Sequence, residues 1–224
     1  MNNLKTFTLA MILIGGLTLS ALAQKSGTIV YEQIINIHKS LSPEQQAFKA
    51  MIPETISKKL SLRFNENYAR LQEVKKDQPK GISINISSSS DAWFDFSKKE
   101  YREYHNIMGE SLCVVNSIPA KVDLEPTGNS KTILGYPCQE MKTEDGKFSI
   151  WYTSKLNIKG TPLLPLFATG TILLIENDKV NITAIQFTEK TFTDKELNQL
   201  PEAQQISSEQ LEDIQEEARD EMNR

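Results

Sequence analysis

Residues 160–176 read GTPLLPLFATGTILLIE, two prolines and then an apolar run inside a chain that is otherwise polar. How this stretch folds decides between a membrane span and a β domain. The apolar run at 171–175 is of strand length, far short of the roughly 20 residues that cross a bilayer as a helix. Pro162 and Pro165 have no N–H to give to a sheet ladder, so the residues before the run form an irregular loop. Gly170 permits a tight bend or a close backbone approach where the chain enters the strand. The stretch therefore reads as a structural crossover that delivers the chain into a sheet.

Strand patterns extend from it in both directions. A second strand over 180–188 follows the turn Glu176-Asn177-Asp178, and upstream the segments 138–143 and 148–153 flank Asp145-Gly146, the strongest hairpin signal in the chain. Short strands are expected at 111–115, 121–124 and 131–134, with turns at 126–129 and at Gly135-Tyr136-Pro137. Nearer the start, GTIVYEQIINIH from Gly27 reads as a long strand with a buried face. Ser42-Pro43 opens a short helix over 43–52 whose Phe48, Met51 and Ile52 share one side. KLSLRF at 59–64 and YARLQEV at 68–74 form a hairpin across Asn65-Glu66-Asn67, and GISINIS at 81–87 alternates again. Two more strands follow at 93–96 and 101–108, the second with Tyr101, Glu103, His105 and Ile107 on one face.

The expected fold is mainly β: a single curved antiparallel sheet or a partly open barrel, with a short N-terminal helix and a C-terminal acidic helix. That last helix spans 207–222, with Leu211, Ile214, Ala218 and Met222 on a narrow stripe and a capping box from Ser207 to Gln210. Lys5, the apolar residues 9–19 and Ala21-Leu22-Ala23 predict a cleaved signal peptide over 1–23. The expected divisions are thus the signal peptide at 1–23, a β-rich domain at 24–194 and an acidic helical tail at 195–224, in a periplasmic or secreted protein. No cysteine stands at position 24 to carry a lipid anchor, and no transmembrane segment is expected in the mature chain.

The chain has 25 basic and 29 acidic side chains and a net charge of −4, which gives it no electrostatic attraction to nucleic acid or anionic lipid. Export places Cys113 and Cys138 where a disulfide persists and favours a bond between them, worth about 3.5 kcal/mol on the chain-entropy argument, with two separate thiols as the alternative.

Catalytic signatures are scarce. His38 and His105 lack partners at metal-ligand spacing, and no nucleophile elbow, zinc helix, phosphate loop or dinucleotide glycine pattern occurs, so no metal and no cofactor are expected. Asp91 and Asp95 flank Trp93 as in a carbohydrate subsite, although an ordinary strand end has the same pattern. Aromatic residues concentrate in the strand-like segments, and Trp93, Phe96, Tyr104 and Trp151 are the candidate ligand-binding residues, lining a cleft or filling a core.

Several blocks together resemble the GLPGLI family, exported proteins of the Bacteroidetes. They are the opening Gly27-Thr28-Ile29-Val30-Tyr31-Glu32, the segment LRFNENYARL at 62–71, the block KTILGYPC at 131–138, FSIWYT at 148–153, and Gly160, Pro162 and residues 170–176. The family signature itself is replaced here by FATGTI at 167–172. The resemblance implies an exported, mostly β protein and brings no catalytic assignment. The functional expectation from the sequence is an exported, non-enzymatic envelope protein with an apolar ligand (lipid, lipoprotein or hydrophobic peptide) on its curved sheet. The alternatives are a structural or protein-interaction component docking through the acidic helix, and a glycan- or peptide-acting enzyme using Asp91, Asp95 or His105.

Overall fold

The computed structural model describes residues 26–43, 45–74, 91–120 and 123–222. The chain is mainly β, and one twelve-stranded sheet organises it. In chain order the strands are β1 (Gly27–Asn36), β2 (Thr55–Phe64), β3 (Tyr68–Glu73), β4 (Asp91–Asp95), β5 (Glu100–Ile107), β6 (Glu110–Ser117), β7 (Leu124–Ile133), β8 (Tyr136–Thr143), β9 (Ser149–Thr153), β10 (Thr171–Glu176), β11 (Val180–Glu189) and β12 (Gln204–Ile206). Their order across the sheet is β12-β6-β5-β4-β3-β2-β1-β11-β10-β9-β8-β7. Every pairing is antiparallel except β12 with β6.

β1 is the spine of the sheet. Its alternation of Ile29, Tyr31 and Gln33 with Val30 and Glu32 buries every second residue, and it pairs with β2 on one side and β11 on the other. The two halves of the chain thus meet at a strand that local sequence predicts well. Residues directly opposite one another share a face, so Phe64, Ala69, Phe94 and Tyr101 form one row of the core face across β2 to β5.

The sheet is strongly curved, and connectivity requires it. β6 and β7 stand ten places apart, which would separate them by about 48 Å in a flat sheet. Only residues 118–123 join them, a reach of about 25 Å at full extension. The segment between β9 and β10 fills the hollow. Its Leu156, Ile158 and Phe167 are buried, and the Phe167 ring lies 6.3 Å from Phe94 and 5.8 Å from Tyr101, on strands far across the sheet. Gly160 sits against Leu62 and Ala69. The Thr171 hydroxyl of β10 donates to the Leu156 carbonyl at 2.8 Å and accepts from the Ile158 N–H at 3.0 Å, which ties this plug to the strand that follows it. The crossover read from residues 160–176 is therefore also the interior of the domain.

Helices are few, and no described helix is long and apolar enough to cross a membrane. The expected helix at 43–52 is a 3-10 segment, Gln45–Met51, with no buried residue, and Phe48 and Met51 are exposed. α1 (Asp194–Leu197) is capped by a reciprocal Thr193–Glu196 box, and α2 (Ser208–Met222) follows Ser207, whose hydroxyl accepts from the Gln210 N–H at 3.1 Å. Leu211 and Ile214 of α2 pack on Leu112, Val114 and Ile206. Instead of two short strands with a turn at 126–129, β7 runs through Pro126 with a bulge before Ser130. The proline is tolerated because β7 is the edge of the sheet. The expected strand at 81–87 lies outside the described residues.

The expected disulfide does not form. Cys113 and Cys138 are both free and buried, on strands with eight others between them in the sheet order. Each thiol has its own surroundings: Cys113 lies opposite Tyr104, and Cys138 Sγ is 3.4 Å from the Tyr136 carbonyl, to which it donates.

Candidate functional site

Where the crossover meets the ends of β4 and β6 it leaves a groove of about 390 Å³. Phe96, Ile118, Ile158 and Phe167 form its apolar part, and Asn157, Lys159 and Thr169 supply exposed polar groups along the rim. Phe96 stacks on Phe94 at 6.1 Å, and Lys159 Nζ stands 5.5 Å from the centre of the Phe96 ring. Gly160 and Gly170 keep the walls low: a Cβ at Gly170 would come within 2.6 Å of the Thr153 carbonyl oxygen. Among the described lining residues there is no carboxylate, thiol or imidazole. Such a lining holds a ligand by ring faces, an amide, a hydroxyl and an ammonium.

The four aromatic candidates do not converge on one site. Phe96 lines the groove. Trp93 and Tyr104 meet edge to face at 4.6 Å on the outer face of the sheet, where the Trp93 Nε1–H donates to the Gln199 carbonyl at 3.1 Å and the ring is almost fully buried. Burial pushes the Tyr104 phenol up to about 12, helped by Cys113 beside it. Trp151 lies across the sheet on β9, its Nε1–H donating to Glu176 at 2.9 Å and its ring beneath Lys131 Nζ at 3.8 Å.

The acid candidates are likewise separate. Asp91 accepts from Gln72 Nε2 and the Glu73 N–H, while Asp95 accepts from the Ser97 hydroxyl at 2.6 Å and from the Ser97 and Lys98 N–H groups. Burial alone would raise the Asp95 carboxyl, but those bonds and the Lys98 charge hold it below its ordinary value. His105 is on the opposite, core face of β5 in register with Leu112; burial lowers it, and its Nε2 has no partner among the described residues. Asp91, Asp95 and His105 therefore do not assemble. No group of three or more His, Cys, Asp or Glu among the described residues could hold a metal ion.

Glu140 is a carboxylate that local pattern did not single out. It is buried on β8, where the β7 bulge lets Thr127 Oγ1 and Asn129 Nδ2 each donate to Oε2 at 2.7 Å. These bonds depress its carboxyl below the ordinary range. A depressed folded-state value adds stability above the unfolded pKa, and that stability is lost as pH falls through the folded one. Glu140→Gln is expected to cost about 1 kcal/mol near neutrality. In urea titrations across pH, that difference from wild type should shrink as pH falls below about 4.

Comparison with known proteins places this geometry. The family described as "N-glycanase peptide, N-terminal domain" matches residues 101–213. Two solved structures of PNGF-II, in C2 and P21 space groups, superpose with TM-scores of 0.60 and 0.58, each at 17% identity over 87% of this chain. The chain spans about a third of their length (33% and 34%), and at that identity the likeness is one of fold. No curated protein sequence matches it. The expectation of a non-enzymatic envelope protein holding an apolar ligand, or docking through its acidic helix, is overturned by the family match, which associates the chain with a glycan-processing enzyme. The fold agrees: of the four candidate rings Phe96 alone lines the groove, and Trp93 and Trp151 are almost fully covered. Matched over half its length, from β5 through the plug into α2, this chain belongs to the family of N-glycanase peptide N-terminal domains.

Proposed function

We propose that this chain engages the glycan-bearing substrate of an N-glycanase-type reaction. The observation that carries this is the groove beside the plug. All its lining residues but Phe96 fall within the family-matched segment 101–213. Sugars present an apolar ring face with hydroxyls at the edges, and Phe96 flanked by Asn157, Lys159 and Thr169 is complementary to both. With rings, an amide, a hydroxyl and an ammonium but no carboxylate, thiol or imidazole among its described lining, the groove is suited to holding a sugar. We place this role outside the cytoplasm, on the leader pattern of residues 1–23 and the resemblance to the exported GLPGLI family.

The test is fluorescence anisotropy with a labelled N-glycopeptide and its deglycosylated counterpart. The glycosylated form should bind more tightly, and Phe96→Ala should weaken it by about fivefold to tenfold, the loss of one ring contact. Asn157→Ala, at an exposed position, should weaken it without affecting folding. Equal binding of both peptides would defeat the reading. Release of free glycan by the chain alone would show that the domain is itself catalytic.

A further inference from the structure

A second feature lies on the outer face, away from the groove. Arg63 of β2 stands opposite Arg70 of β3, Arg70 opposite Trp93 of β4, and Trp93 opposite Arg102 of β5, so four side chains form one cross-strand row. Like charges directly opposed across a strand pair destabilise the sheet. No ion pair among the described residues relieves Arg63, Arg70 or Arg102. The Arg70 guanidinium carbon lies 4.3 Å from the centre of the Trp93 ring, and its Nε–H is buried with no hydrogen-bond partner among the described residues. Arg63 Nη2 donates to Gln72 Oε1 at 3.2 Å. Asp91, two residues before Trp93 on the same face, is engaged by Gln72 and the Glu73 N–H. Burial and the Arg63 charge both push the Arg70 guanidinium down from its ordinary value, with Asp91 and Tyr104 partly opposing them.

We propose that Arg63 and Arg70, backed by Trp93, form a receptor for an oxyanion: the carboxylate, sulfate or phosphate of an acidic sugar, or the free ion. The indole face fixes the plane of one guanidinium, and the cross-strand register sets the second beside it, the arrangement in which two planar forks close on a single oxyanion. An anion there supplies the countercharge that no ion pair among the described residues provides. The site is on the opposite face of the sheet from the groove and does not depend on its ligand.

The chain has two tryptophans, so a Trp151→Phe background leaves Trp93 as the sole indole reporter. Sodium sulfate titrated against sodium chloride of equal ionic strength should give a saturable change in Trp93 emission. Arg63→Gln and Arg70→Gln should each weaken it about tenfold, the effect of one charge-assisted contact, while circular dichroism stays unchanged. Arg70→Lys, which keeps the charge and loses the fork, should fall between wild type and Arg70→Gln. Saturation by sialyllactose but not by lactose assigns the anion to an acidic sugar; saturation by sulfate or phosphate without sialyllactose assigns it to the free ion. The proposal is overturned if emission follows ionic strength alone, or if saturation survives both glutamine substitutions.

Discussion

Replacing Phe167 by alanine is expected to destabilise the protein by about 3–5 kcal/mol, measured as a lower urea midpoint at unchanged slope. Phe167 is buried, and its ring touches the aromatic rows of two strands, Phe94 edge-on and Tyr101 tilted. The cavity left behind cannot collapse easily, because its walls are strands already held in register on both sides. Phe167 also lines the groove, so glycopeptide affinity should fall with stability. A substitution of similar volume, Phe167→Leu, should recover most of the stability. If Phe167→Ala costs less than about 1 kcal/mol, the plug is not the core of this domain.

The second large effect is expected at Gly170, where the crossover enters β10. A Cβ there would lie 2.6 Å from the Thr153 carbonyl oxygen, 3.1 Å from its carbon and 2.8 Å from Tyr152 Cδ2. Backbone atoms of a paired strand cannot swing aside as a flexible side chain can. Gly170→Val should therefore cost about 3 kcal/mol and disturb the β9–β10 pairing, seen as lost amide-exchange protection at Ile172 and Tyr152. Gly128 provides a spatial contrast, since a Cβ there meets nothing within 4 Å; its φ of +80° leaves only backbone strain as a cost of substitution.

These two positions show how far local pattern carries. The prolines and Gly170 identify an irregular crossover leading into a strand, and that is what forms. Nothing in the local pattern says that Phe167 travels across the hollow of the sheet to Phe94 and Tyr101, because that contact depends on how far the sheet curls. The candidate site was legible to the same limited degree. Phe96 stands out in the sequence as an aromatic in a strand-like segment, whereas Asn157, Lys159 and Thr169 carry no periodic signal and become neighbours of it only through the fold. Trp93, Tyr104 and Trp151 share that sequence signal with Phe96, and tertiary packing places them elsewhere.

The cysteine pair and the strand at β12 failed for a related reason. Export favours a bond between Cys113 and Cys138, but Cys113 stands opposite Tyr104 on the outer face of the sheet, whereas Cys138 belongs to the core on β8. β12 is three residues long and parallel to β6, so it has neither the length nor the hairpin turn by which a strand is read. Glu140 carries no local signal, because only a bulge in β7 brings Thr127 and Asn129 over it.

By itself the sequence determined the strands of β1, the β2–β3 and β8–β9 hairpins, the capped acidic helix and the mainly β class, since alternation, turn residues and caps act over a few neighbouring residues. Tertiary structure alone decided which strands became neighbours, where the plug came to rest, which rings stayed accessible and which arginines faced one another. Those outcomes depend on register and curvature, which are set by contacts between residues far apart in the chain and leave no periodic trace within any one segment.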